Sequence, residues 1–401
     1  MFPTRIGFDE AAAITRDVAA RHRLDTERLA VSRAHDRVLA EAIVAGLDLP
    51  PFDNSQMDGF ALRHADLGIH DTLELAGEQF AGGPAVASLD AGTCVRITTG
   101  APLPPGADTV VMKEVARLDG DRVRVPTDTP HAQHVRRAGE DVRRGEAVLQ
   151  AGQRLTPARA ALAAALGCET VAVSRRPTVA VFTSGDELVE PGLPLGPGQI
   201  YDSNRALLTG LLRADGLEPT AWPRLPDDPR QVEVALRDAA CAFDLVITCG
   251  AVSAGEHDHI PGVLQRFGTV HFWKVRMRPG MPVLLASVDQ ARVLALPGNP
   301  VSVLATYLTL GRTLIDGLQG ATDPRPAWRA RLEAAIDKTH DRREFVRGRW
   351  DVDADGGLRV APDPATASHR LRAAAANNAL IVVGDGVRRL DAGAVVDVLP
   401  Y

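Results

Sequence analysis

Cysteine is scarce: Cys94, Cys168, Cys241 and Cys249 are the only four among 401 residues, and no two of them form a CxxC pair. That excludes a disulfide-stapled scaffold and suits a reducing compartment. Long apolar runs are also missing, so no segment has the length needed to cross a bilayer. The opening stretch "MFPTRIGFDEAAAITRD" lacks the charged-then-apolar layout of a secretory leader, and a cytoplasmic protein is expected. Nor is there an excess of positive charge. The formal net charge of -6 argues against general binding to nucleic acid or to an anionic membrane surface. No GxxxxGK[ST] loop is present, which removes the Walker type of nucleotide site.

What is present is enough chain for two to four domains. Residues 8–22 read as a helix, and so does "TPARAALAAALG", with Thr156 as N-cap, Pro157 at the first helical position and Gly167 as the stop. Between them lie short β-branched segments separated by Pro/Gly turns, which predict a small all-β unit at 46–140. A β unit between helical segments reads as an insertion into a discontinuous, partly helical domain made of 1–45 and 141–176. From 177 to 325 apolar strand runs alternate with helical runs, as in "TVAVFTSGDE", "NRALLTGLLRADG", "DLVITCG" and "RVLALPGNP". This alternation predicts a parallel sheet with helices on both faces, whose ligands bind beyond the carboxyl ends of the strands. After the linker "QGATDPRPAW", residues 326–401 read as a C-terminal β domain without a helix, including a hairpin closed on Asp-Gly-Gly.

Several stretches carry chemistry. In "LPGNPVS", Pro297-Gly298-Asn299-Pro300 joins a strand to a helix; Asn299 can cap that helix, or the amides of Val301 and Ser302 can face an anion. Asp186 and Glu187 are adjacent just beyond a strand, where a hard cation with phosphate oxygens or plain solvent would relieve their repulsion. In "CGAVSAGEHDHIPG" the small residues Gly250, Ser253 and Gly255 permit close backbone approach to a ligand, and Asp258 follows. In "FWKVRMRPGMP" a strand would project Lys274, Arg276 and Arg278 from one face, leaving Trp273, Val275 and Met277 on the other. Three cations on one face fit either a solvated edge strand or an oxyanion site. Asp58-Gly59 in "PPFDNSQMDGFAL" and Thr99 in "RITTGAPLPPGAD" fit structural turns as well as a ligand site.

Taken in order, "FDNSQMDGFA", "RITTGAPLPPGADTVV", "RRAGEDV", "SGDEL", "GQIYDSN", "AVSAGEHD", "FWKVRMRPG" and "LPGNPVS" resemble the molybdopterin molybdenumtransferase family, which includes MoeA and the gephyrin E domain. The resemblance covers nearly the whole chain. It implies four domains, one of them like the molybdopterin adenylyltransferases, and a C-terminal β-barrel-like domain. It also implies an elongated homodimer with clefts built from both protomers. The implied reaction converts adenylylated molybdopterin and molybdate, with Mg²⁺, to molybdenum cofactor and AMP. Carried over by position, Asp58, Thr99, Asp141, Glu187, Asp227 or Asp228, and Asp258 are the implied catalytic residues, and Asp186 and Glu187 the implied metal ligands. Gly250, Ser253, Gly255 and Pro297 to Pro300 would hold the pterin nucleotide. Lys274, Arg278, Ser302, Arg347 and Ser368 would serve molybdate, and Arg276, where the family commonly has a small or apolar residue, would restore to the anion site the charge that Met281 does not supply. Molybdopterin adenylyltransferase and apo-molybdoenzymes are further implied partners.

The chain departs from the family pattern in three places. Met281 stands where a lysine is usual, Ala251 where a second glycine is usual, and Phe60 where a tyrosine is usual. A non-catalytic pterin-nucleotide-binding scaffold and a nucleotide pyrophosphatase-like paralogue are the competing expectations.

Overall fold

The computed structural model describes residues 2–84, 87–253 and 258–401. Its centre is a seven-stranded sheet in the order Thr4–Ile6, Thr269–Val275, Leu284–Val288, Ala291–Leu296, Leu245–Cys249, Val179–Thr183, Pro219–Ala221. The last four strands run parallel. Three of them, Ala291–Leu296, Leu245–Cys249 and Val179–Thr183, are buried at every position, as unbroken apolar runs covered on both faces require. The sheet is not wholly parallel, because Leu284–Val288 lies antiparallel to both its neighbours. One face packs Leu208, Leu304 and Leu314; the other packs Leu236 and Val263.

Two assignments made from sequence need correction. The N-terminal strand and helix, expected in the discontinuous domain, belong to the α/β unit. Thr4 and Ile6 pair with Trp273 and Val275, and the helix Phe8–Arg21 lays a stripe of Ala11, Ala12, Thr15, Val18 and Ala19 against the core. The stripe is narrow because the approach is close: a Cβ on Gly317 would sit 2.5 Å from Ala19 Cβ. The C-terminal domain, expected to lack a helix, contains one at Leu371–Ala376. Its alanines offer only a weak periodic signal.

The rest of the discontinuous domain is built from ribbons. Thr26–Ala30 pairs with Thr170–Ser174, Ile43–Val44 with Ala147–Leu149, and the helix Pro157–Ala165 starts on the Thr156 hydroxyl, which accepts from the Arg159 amide at 3.3 Å. The main sheet of the β unit has six strands and packs around Phe60, Leu62, Leu73 and Cys94. The C-terminal strands Arg343–Val352, Leu358–Pro362, Trp328–Leu332, Val395–Pro400 and Ala379–Val383 close into a barrel. Met277–Arg278 adds to its edge beside Arg343 and Glu344, so the α/β unit and the barrel share a strand pairing.

Candidate functional site

A cleft of about 830 Å³ opens at the carboxyl edge of the parallel strands. Turns from three strands converge there: Ser184 and Glu187 after Val179–Thr183, Gly250 to Ser253 after Leu245–Cys249, and Pro297 to Pro300 after Ala291–Leu296. Asp227 and Asp258 complete an acidic lining. Gly250 is required by sterics: at φ 94° a Cβ would meet the Ser184 carbonyl oxygen at 2.8 Å. Next to it Ala251 is held at φ 51°, a left-handed conformation unfavourable for a residue with a Cβ.

The "PGNP" turn caps its helix differently from the sequence expectation. The Asn299 side chain makes no cap hydrogen bond, and the Val301 amide donates to the Ser368 carbonyl at 3.2 Å. One of the two amides proposed for an anion is therefore already satisfied by the barrel. The turn is tied from the other side by Asn204, whose Nδ2 donates to the Gly298 carbonyl at 2.6 Å. Asn204 and Asp202 lie in the cleft but carried no individual signal in the sequence beyond the "GQIYDSN" stretch. Asp202 starts the helix Ser203–Ala214 through the Arg205 amide and accepts from Thr183 Oγ1 at 2.6 Å.

A second cavity, of about 390 Å³, lies where the α/β unit meets the barrel, and Pro282 and His369 line both cavities. Arg278, Ser302, Arg347 and Ser368, distant in sequence, come together in it. Ser302 and Arg347 are buried, and the Arg347 Nε has no hydrogen-bond partner. Burial lowers the Arg347 pKa from its ordinary value. Sequence reasoning missed Arg342 and Glu344, which share this cavity. Glu344 faces Arg278 Nε at 3.4 Å and His340 Nε2 at 3.2 Å; burial nevertheless raises its carboxyl above the ordinary 4.5.

The cationic strand does not present Lys274, Arg276 and Arg278 on one face. Lys274 has φ 67°, which breaks the alternation, and the chain then changes pairing partner from Thr4–Ile6 to Arg343–Glu344. Lys274 stacks on Trp273 with its Nζ 4.2 Å from the ring centre, while the indole N–H holds the Val252 carbonyl at 2.9 Å. Arg276 pairs with Asp341 and lines a separate small cavity with Arg5.

The remaining candidates separate as well. Asp228 caps the helix Pro229–Ala242 through the Arg230 amide at 2.9 Å, leaving Asp227 as the aspartate of that pair in the cleft. Asp186 faces Arg224 at 3.4 Å and lines neither cavity. Gly255 lies outside the described residues. Asp141 lines a different cavity beside Pro50 and Asn54. Asp58 and Thr99 form a cluster on the β unit: Asp58 Oδ1 accepts from the Thr99 amide and hydroxyl, both at 2.9 Å, and Lys113 Nζ stands 3.3 Å from Oδ2. The Thr99 amide is the main reason the Asp58 carboxyl titrates below its ordinary range.

A Mg²⁺ ion usually takes one or two protein carboxylates and completes its shell with phosphate oxygens and water. Glu187, Asp227 and Asp258 suit that mode, and among the described residues no group of three or more His, Cys, Asp or Glu side chains forms a self-sufficient metal cage.

A doubly covered α/β domain with an open cleft, joined to an inserted β unit and a closed C-terminal barrel, defines a multidomain α/β protein with a ligand cleft at the carboxyl edge of its sheet. Three family models match the chain: "MoeA N-terminal region (domain I and II)" at 6–167, "Probable molybdopterin binding domain" at 180–316 and "MoeA C-terminal region (domain IV)" at 329–401. A molybdopterin molybdenumtransferase of Haemophilus influenzae is 38% identical, covering 94% of each chain. Molybdopterin molybdenumtransferase 2 of Mycobacterium tuberculosis is 37% identical over 92% of this chain and 93% of its own. The molybdopterin biosynthesis moeA protein of Pyrococcus horikoshii OT3 superposes with a TM-score of 0.85 at 28% identity, covering 99% of this chain and 100% of its own. The chain belongs to the molybdopterin molybdenumtransferase family. It is a transferase of molybdenum cofactor biosynthesis that inserts molybdenum into molybdopterin.

Proposed function

We propose that the cleft binds adenylylated molybdopterin, that the adjoining cavity binds molybdate, and that the reaction releases AMP. The observation that carries this reading is the common wall: Pro297 to Pro300 face the cleft, while Ser302, one turn into the same helix, faces Arg278 and Arg347 in the second cavity. A pterin dithiolate and a dianionic oxyanion bound on either side would be separated only by Pro282, His369 and the start of this helix. Glu187 with Asp227 or Asp258 would hold Mg²⁺ together with the substrate phosphates. When bound, Mg²⁺ supplies Lewis-acid polarisation of the phosphoanhydride. Gly250 and Ser253 let the backbone approach the nucleotide, and Arg347, short of one partner, offers a preorganised donor to molybdate.

The protein works as a homodimer in this reading. Asp58 and Thr99 line no part of the cleft that holds Glu187, so a site using both sets draws them from two protomers. The four cysteines are unpaired, which supports a cytoplasmic location. Among the described residues no helix is long and apolar enough to cross a membrane. The test is AMP release from adenylylated molybdopterin with Mg²⁺. A Glu187→Gln variant should lose it while keeping its fold; unchanged turnover at limiting Mg²⁺ removes Glu187 from the mechanism.

A further inference from the structure

Among the described residues two arginines of the anion cavity, Arg342 and Arg347, form no ion pair, and Arg342 is the less buried of the two. Arg276 pairs with Asp341, Arg278 with Glu344, and Arg343 with Asp9 and Asp385. Among the described residues no carboxylate lies within ion-pair distance of the Arg342 guanidinium. Its one side-chain hydrogen bond among the described residues runs from Nη1 to Met281 Sδ at 3.7 Å. A thioether sulfur is a weak acceptor, so most of the five guanidinium N–H donors remain available. The base of the side chain is fixed, because the Arg342 carbonyl accepts from Lys338 Nζ at 2.8 Å. Arg342 and Met281 together line both the anion cavity and the smaller cavity beside Arg5, and so form the wall between them.

We propose that Arg342 is the specificity-determining cation of the oxyanion cavity in this chain, taking over with a planar guanidinium the charge that Met281 does not supply. The proposal rests on the assignment of that cavity to molybdate. Of the cavity's arginines, Arg278 is shared with a buried glutamate and Arg347 is held in part by the Ala367 carbonyl at 3.3 Å. Arg342 is free to turn its fork onto two oxygens of a tetrahedral dianion, a geometry that an ammonium does not reproduce. Arg276, the other cation that could replace the missing lysine, is committed to Asp341 on the far side of the Met281 wall.

The test is equilibrium binding of sodium molybdate to the full chain by calorimetry, with Arg342→Ala, Arg342→Lys, Arg347→Ala and the double variant Arg342→Ala/Met281→Lys. Arg342→Ala should raise Kd about tenfold, equivalent to about 1.4 kcal/mol. Arg342→Lys should fall between it and the parent, and Met281→Lys should restore the double variant to within about threefold. Thermal melting of each variant separates lost binding from lost fold; the one hydrogen bond of the Arg342 side chain goes to a thioether, so its removal should change the melting temperature little. If Arg347→Ala loses molybdate while Arg342→Ala binds like the parent, the role of Arg342 is overturned and the cavity assignment stands. If neither variant changes binding, the cavity assignment fails and the proposal fails with it.

Discussion

Ala251 holds a left-handed backbone conformation beside a glycine that the neighbouring Ser184 carbonyl makes obligatory. A Cβ there costs on the order of 1 kcal/mol, against roughly 0.5 kcal/mol of extra unfolded-state freedom that a glycine would add. Ala251→Gly should therefore stabilise the protein by about 0.5 kcal/mol in urea unfolding, and a loss of stability would show that the alanine methyl packs usefully. Single residues are legible in the sequence where one residue type meets one local demand, as at Gly250, where the Ser184 carbonyl leaves no room for a Cβ. Paired roles were not legible. Asp58 and Thr99 are far apart in the chain and meet only because adjacent strands, Gly59–Leu62 and Thr93–Ile97, bring their ends together. The contact between Arg342 and Met281 depends on a strand from one unit pairing with the barrel of another, which no local pattern encodes.

At the scale of elements, periodicity gave the α/β alternation and the barrel strands, and failed where tertiary pairing overrides local preference. The stretch from Trp273 to Arg278 alternates in sequence, yet the φ of 67° at Lys274 ends one strand pairing and lets the next begin. The segment "QGATDPRPAW" reads as a loose linker but is clamped. Arg325 bonds Asp215 and Asp316, and Asp323 bonds the Arg154 amide and the Arg159 guanidinium. Asp215 is the buried hub, accepting from Arg312 Nε at 2.9 Å, Arg325 Nη1 at 2.9 Å and the Tyr307 hydroxyl at 2.8 Å. Burial alone would raise its carboxyl, but the two arginines and the tyrosine outweigh it, and the group titrates below its ordinary 3.8. The folded state then binds its proton less readily than the unfolded chain. The stabilisation is complete above pH 3.8 and is lost as pH falls below that value through the folded pKa. Asp215→Asn should cost roughly 3 kcal/mol at neutral pH, because the partly buried Arg312 loses its counterion and Arg325 loses one of its two. It should also weaken the acid dependence of stability below pH 3.8. A variant with unchanged neutral stability and an unchanged acid limb would show that the hub is not holding the linker.

For the whole molecule, the clearest feature is the separation of the Asp58–Thr99 cluster from the cleft that contains Glu187. If the working site combines the two across a dimer, mixing inactive Asp58→Ala and Glu187→Gln proteins should recover up to about a quarter of parental activity, since half of randomly formed dimers are heterodimers with one intact site of two. Mixtures that stay inactive under exchange conditions would place both groups in one protomer's reaction or remove Asp58 from it. The family was legible because eight stretches match its pattern in order along nearly the whole chain. The N-terminal strand and helix belong to the α/β unit because Thr4 and Ile6 pair with Trp273 and Val275, a contact between distant positions that contiguity in sequence does not reveal. If the cleft holds the nucleotide and the adjoining cavity the oxyanion, their shared wall couples nucleotide cleavage to molybdate binding. That coupling is tested most directly by measuring AMP release from adenylylated molybdopterin at saturating Mg²⁺ while molybdate is varied. Release that rises with molybdate and saturates, with transferable molybdenum cofactor formed in equal amount, is the predicted result; release at full rate without molybdate would contradict it and make the protein a pyrophosphatase.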